Sequence, residues 1–132
     1  KQIMPKKFTV EIISPDGTLF KSETSEVIIP SYEGEMGILK EHIPLITFLR
    51  PGIIKIEDNE KKSFFVEEGT VEFVNNSLLI LTSTAKELTD IDQNYIKNSI
   101  IKAEKKMSDN KLSDKEKYIL SYKINTLKNI NR

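Results

Sequence analysis

The sequence predicts a mainly β protein with added α structure: an N-terminal β-sandwich over residues 1–87, then a C-terminal antiparallel two-helix hairpin over residues 88–132. Short runs of alternating apolar and polar residues, with turn signals every 8–12 residues, predict the sandwich. A change to helical spacing after Leu88 predicts the hairpin. The charge changes sign at the same place. Residues 1–87 carry 10 Lys/Arg and 14 Asp/Glu, a net of −4, and residues 88–132 carry 10 and 6, a net of +4. The overall balance of zero therefore joins an acidic body to a basic tail, an asymmetry that guides partner choice or simply reflects two differently solvated surfaces.

The strands follow in order. Phe8, Val10 and Ile12 alternate with Thr9 and Glu11, the period of a half-buried strand. Ser14-Pro15-Asp16-Gly17 is a hairpin turn, because proline presets φ at its second position and glycine tolerates φ > 0. Thr18 to Ser22 returns, and Glu26 to Ile29 is a short strand stopped by Pro30. Leu45 to Leu49 and Ile53 to Ile56 flank the turn signal Arg50-Pro51-Gly52. Ser63 to Val66, Val71 to Val74 and Leu78 to Thr82 complete the series. Asp58-Asn59-Glu60, Glu68-Gly69 and Asn75-Asn76-Ser77 punctuate it.

In the tail, Ile91, Tyr95, Ile96, Ile100, Ala103 and Met107 fall on one helical face, with Thr89 or Asp90 as the N-cap. Ser108-Asp109-Asn110 breaks the run, and Ser113 with Glu116 matches a capping box. Ile119, Leu120, Ile124, Leu127 and Ile130 continue at helical spacing. The short connection favours an antiparallel hairpin. Its two apolar stripes must pack on each other, on the sandwich or on a partner. Burial of each large side chain contributes about 1.5–3 kcal/mol, so the docking margin is small and one packing surface can be exchanged for another.

Composition excludes several chemistries. The chain has no cysteine, which removes disulfides, thiolate metal sites and cysteine nucleophiles. Balanced charge argues against a dedicated nucleic-acid binder. No apolar run reaches the length of a membrane span, and no signal or transit peptide is expected. Lys1 heads the chain, and Met4 offers an alternative start that would make Lys1 to Ile3 an extension. The single histidine, His42, lacks a second histidine for a metal site and a positioned nucleophile for a triad. Gly34 and Gly37 lack the Gly-Lys-Ser/Thr ending of a phosphate loop, and Glu33 and Glu35 beside them would repel phosphate. These carboxylates show no calcium-loop spacing. Tyr32, Phe48, Phe64, Phe65 and Phe73 sit at strand spacing among aliphatics and read as core rather than base-stacking residues. A non-enzymatic binding or assembly module is therefore the leading class. A free-standing ligand-binding sandwich with a dimerisation hairpin is the alternative, and a small hydrolase using Glu33 or Glu35 with His42 is a third.

The stretch Glu33-Gly34-Glu35-Met36-Gly37-Ile38-Leu39, then His42-Ile43-Pro44-Leu45, then Arg50-Pro51-Gly52-Ile53-Ile54-Lys55-Ile56, resembles the epsilon subunit of the bacterial-type ATP synthase. Val10 to Gly17 resembles the family's first hairpin, and Ile91-Asp92 the start of its first tail helix. The resemblance runs from about Phe8 to about Asn129 and is specific over residues 33–56. It implies a non-catalytic rotor part of a proton-translocating ATP synthase, gripping the foot of the gamma subunit and sitting on the c-ring, so that torque passes between them. Glu33, Glu35 and His42 match positions that face the c-ring and the gamma foot. The resemblance also implies a hairpin able to reach the catalytic beta subunit and inhibit hydrolysis. It implies a peripheral location on the cytoplasmic side of the bacterial inner membrane. Some members bind ATP through Ile/Leu-Asp-x-x-Arg-Ala; here Ile91 and Asp92 match, while Tyr95 and Ile96 replace Arg and Ala. Loss of that cation implies no tight ATP binding. No cofactor and no metal are expected.

Overall fold

Among the described residues the chain forms ten strands, most of them built on alternating apolar side chains, followed by a single 3₁₀ turn and two helices. The computed structural model describes residues 7–57 and 61–130. The expected turn Asp58-Asn59-Glu60, the alternative start at Met4 and the Lys1 to Ile3 extension lie outside the described residues. The strands are β1 (Phe8–Ser14), β2 (Gly17–Thr24), β3 (Glu26–Ser31), β4 (Gly34–Leu39) and β5 (Leu45–Leu49), then β6 (Gly52–Glu57), β7 (Lys62–Val66), β8 (Gly69–Val74), β9 (Ser77–Leu81) and β10 (Lys86–Glu87). The 3₁₀ turn spans Leu88–Asp90, and α1 (Gln93–Met107) and α2 (Asp114–Lys128) follow.

All ten strands belong to one hydrogen-bonded ladder, in the order β10-β7-β6-β3-β5-β8-β9-β1-β2, with β4 on β3. It folds over at β3, whose Glu26 to Ile28 pair with β6 while Ser31 pairs with Leu49 of β5. The switch occurs at Pro30. Its carbonyl accepts from the Arg50 N–H (3.0 Å), so its missing donor faces this corner, where the ladder is already interrupted. This is why β3 runs through Pro30 instead of stopping there. Arg50 and Pro51 therefore cross from one layer to the other and do not close a hairpin. β1 pairs in parallel with β9 and antiparallel with β2.

The layers enclose one core. Phe8, Val10 and Ile12 of β1, Val71 and Phe73 of β8, and Leu78 and Ile80 of β9 meet Val27, Ile29, Ile38, Ile54, Ile56 and Phe64. The strand alternation breaks in β7, where both Phe64 and Phe65 are buried. Phe64 enters the core. Phe65 points outward and is covered by the hairpin through Ile91 and Leu127, with Ile53, Leu88, Tyr95, Ile96, Ile100 and Ile130 around it.

Three further expectations are corrected. Residues 34–39, absent from the strand series expected above, form strand β4, with Gly37 at ordinary backbone angles opposite Ile28; of its two glycines only Gly34 takes a positive φ (+116°). The N-cap of α1 is Asp92, whose carboxylate accepts from the Tyr95 N–H (2.8 Å), and not Thr89 or Asp90, which lie in the 3₁₀ turn. Tyr32 and Phe48 are not core residues, being 40% and 60% exposed, whereas Phe64, Phe65 and Phe73 are buried. Ser113 and Glu116 form the expected capping box on α2.

Candidate interaction surfaces

Glu33 lies in the tight turn between β3 and β4. The Ser31 hydroxyl accepts from its N–H (3.2 Å) and donates to the Gly34 carbonyl (2.7 Å), leaving the Glu33 side chain exposed. Glu35 stands two residues on, exposed, with its carboxylate 3.8 Å from Lys55 of β6. An exposed pair at that distance contributes about 0–1 kcal/mol, so Glu35 stays available to another partner. It also borders a cleft of about 600 Å³ between β6 and α2, shared with Arg50, Lys55, Tyr122 and Asn125.

His42 lies beyond the other end of β4. Four residues of strand, about 13 Å, separate Glu35 from Leu39 alone. The carboxylates and the imidazole are therefore not brought together, and the acid/base pairing required of a hydrolase is not formed. The His42 N–H donates to the Leu39 carbonyl (3.1 Å), and its Nδ1 lies 2.8 Å from the Ile43 carbonyl oxygen. Its ring meets Phe73 edge-on at 6.0 Å. Beside it, Glu41 holds a left-handed backbone (φ 68°). The Glu41 N–H donates to Asn76 Oδ1 (2.9 Å), and Asn76 Nδ2 donates to Glu41 Oε1 (3.4 Å). Among the described residues no group of three or more His, Cys, Asp or Glu side chains is arranged to hold a metal ion.

The β5 layer shows what the sequence reading missed. Its outer face carries Ile46 (70% exposed) and Phe48 (60% exposed), and the row Phe48, Thr70, Leu81, Ile13 runs across four strands. Ile13, Pro15, Tyr32, Phe48 and Leu81 line an open groove of about 970 Å³ at one end of this face. Among the described residues none covers Ile46 and Phe48, whereas the hairpin covers the outer face of β6 and β7. The available signal was the strand Leu45-Ile46-Thr47-Phe48-Leu49, which is apolar on both faces although only one can enter the core.

The hairpin is held by more than its apolar stripe. The Arg50 guanidinium lies 4.1 Å above the Tyr122 ring, Tyr118 meets Tyr122 edge-on at 4.7 Å, and Tyr118 stacks on Tyr32 at 6.2 Å. Lys123 pairs with Glu67 at 2.8 Å. Lys86 sits 4.3 Å above the Tyr95 ring. Asp92 is engaged as a helix cap and Ile91 is buried, so the two residues matching the nucleotide motif serve the local fold. Tyr118 and Tyr122, one helical turn apart and off the Ile/Leu stripe, were the legible sign of a second contact on α2.

These surfaces define a class: a small β-sandwich with a docked helical hairpin, an uncovered apolar sheet face, and exposed carboxylates and a histidine at opposite ends of one strand. The profile of the ATP synthase delta/epsilon chain β-sandwich domain matches residues 7–88. The chain is 42% identical over 130 residues to the ATP synthase epsilon chain of Pelagibacter ubique, covering 97% of this chain and 100% of that one. It is 33% identical over 129 residues to that of Parvibaculum lavamentivorans, covering 96% and 97%. Among solved structures, a chain of the Euglena gracilis mitochondrial ATP synthase (OSCP/F1/c-ring) matches with a TM-score of 0.77 at 21% identity, covering 96% of this chain and 82% of that one. A chain of the Tetrahymena thermophila ATP synthase central stalk and c-ring matches with a TM-score of 0.67 at 15% identity, covering 96% and 97%. At those identities the likeness concerns the fold. The chain belongs to the ATP synthase delta/epsilon chain family and is a non-catalytic subunit of that enzyme complex.

Proposed function

We propose that this chain is a rotor part of a proton-translocating ATP synthase, clamped between the gamma subunit and the c-ring and passing torque between them. The uncovered apolar face around Ile46, Phe48 and Leu81 carries the reading. Exposed large apolar side chains grouped on one sheet face are costly in water and suit a stable protein contact. A sandwich cross-paired through one continuous ladder supplies the stiffness that transmission requires. Gamma takes the apolar face. Glu33, Glu35 and His42 meet polar groups of the c-ring and the gamma foot. The two working parts are residues 1–87 and residues 88–132, the second a regulatory hairpin that reaches the catalytic beta subunit when released. The chain is then peripheral to the membrane, on the cytoplasmic side of a bacterial inner membrane; among the described residues no helix is long and apolar enough to cross one.

Phe48→Ser tests the apolar face. The variant is expected to lose at least about tenfold in affinity for the cognate ATP synthase stripped of this subunit, while its unfolding midpoint stays near wild type. Unchanged affinity removes that face from the interface. The isolated chain is also proposed to bind no ATP tightly, because Tyr95 stands where a cation would be required and its ring is taken up by Lys86. Micromolar affinity in calorimetry with ATP and magnesium would contradict this.

A further inference from the structure

The segment between β4 and β5 is a built feature. Its Ile43 is 74% exposed, the highest value among the exposed large apolar residues described, and it precedes the strand bearing Ile46 and Phe48 by only two residues. An exposed isoleucine on a mobile loop would lose much of its binding value to the cost of ordering the loop. Here the loop is tied down in advance. Glu41 holds φ 68°, a conformation that is unfavourable for a non-glycine residue and persists only where the surroundings impose it. Two contacts hold it: the turn that the His42 N–H closes on the Leu39 carbonyl (3.1 Å) and, 35 residues away in sequence, the Asn76 side chain, which accepts from the Glu41 N–H and donates to the Glu41 carboxylate. Asn76 is itself anchored. It sits in the two-residue β8–β9 turn with Asn75, both at positive φ (56° and 51°), and its carbonyl accepts from the Thr9 N–H (3.2 Å). The His42 ring against Phe73 holds the other flank.

We propose that Asn76 is a positioning residue for partner docking: it pre-sets the loop at Glu41 so that Ile43 is presented as an anchor to an apolar surface of the gamma subunit. Continuity of Ile43 with the Ile46 and Phe48 face assigns gamma as the occupant, and in this the proposal rests on the reading of that face given above.

The test measures the affinity of the full chain for the cognate F1 sector lacking both this subunit and the c-ring. Asn76→Gly keeps the positive φ accessible and removes the amide, so the hairpin turn is retained. Asn76→Gly and Ile43→Ser are each expected to weaken binding about tenfold. The double variant should be no more than about twofold weaker than Ile43→Ser alone, since Asn76 acts only through the loop. In the free chain, the Glu41 amide should exchange faster in Asn76→Gly while the unfolding midpoint moves little. Wild-type affinity of Asn76→Gly, or full additivity with Ile43→Ser, would overturn the proposal. Weakening that requires the c-ring to be present would overturn it too, by assigning the loop to the ring. If Asn76→Gly does not fold, Asn76→Asp enters the same cycle; it keeps the turn and sets a carboxylate against that of Glu41. Loss of affinity in Phe48→Ser with none in Asn76→Gly leaves the gamma-binding face standing and rejects the clasp. No loss in Phe48→Ser rejects the face itself.

Discussion

A Cβ placed on Gly52 would come within 2.5 Å of the Pro30 Cβ and 2.9 Å of its Cγ. The corner at which the ladder changes layers closes only because position 52 has no side chain. Gly52→Ala should destabilise the protein by about 1–3 kcal/mol, read as a lower denaturant midpoint, because neither proline nor backbone can retreat. The Pro51-Gly52 pair was legible as a turn, but the need for glycine there comes from a residue 22 positions away and not from φ. Glu116 illustrates the opposite case. Its capping box was legible as Ser113-x-x-Glu116, and the hydrogen bonds from Ser113 hold its carboxyl below the ordinary carboxylate value. A depressed folded pKa means that the stabilisation is present above the unfolded value, about 4.3, and is lost as pH falls through the folded one. Acidification below about pH 4.3 should therefore fray the start of α2, read by amide exchange at Glu116. Glu116→Gln keeps both hydrogen bonds and should flatten that acid dependence. Glu33, Glu35 and His42 were singled out from motif position. That they stand at opposite ends of β4 could not be read before the 34–39 stretch was known to be a strand, because its two glycines disguise the alternation.

At the scale of elements, the hairpin was legible in its period and its second cap, and less so in how it docks. Periodicity marks a buried face without naming what buries it. The structure puts that face on Phe65 and Ile53 and adds contacts outside the stripe: Arg50 on Tyr122, Tyr32 on Tyr118, and Glu67 on Lys123. A cation over an aromatic ring is worth about 0.5–2 kcal/mol. Tyr122→Ala should therefore raise amide exchange across α1 and α2 by about 2- to 30-fold and leave β1, β8 and β9 unchanged. Equal acceleration in the sandwich would mean that the two parts open together. β10 escaped the sequence reading because two residues, Lys86 and Glu87, show no period; their pairing with Phe64 and Phe65 defines the strand.

For the whole molecule, the main core draws its buried residues from Phe8 to Ile80, and the hairpin packs outside that core, on β6 and β7 and on Tyr32, Arg50, Glu67 and Lys86. A chain truncated after Leu88 should therefore stay folded, with Phe65 and Ile53 newly exposed. Placed in the assembled enzyme, it should raise ATP hydrolysis if the hairpin acts as a brake. Unchanged hydrolysis would leave the hairpin a structural role only. Its surplus of four positive charges is lost with it, while the sandwich keeps its net negative charge.

The sequence by itself determined the two kinds of structure, their order, most strand positions, the family and the absence of thiol chemistry. These depend on periodicity, turn chemistry and composition, which act over a few neighbouring residues. Tertiary structure alone decided that the sheet folds over at Pro30, that Phe48 and Ile46 face outward, that Asp92 caps the helix, and that Asn76 hydrogen-bonds Glu41. Each of these depends on groups distant in sequence competing for the same space or the same hydrogen bond, and no local pattern records which of them prevails.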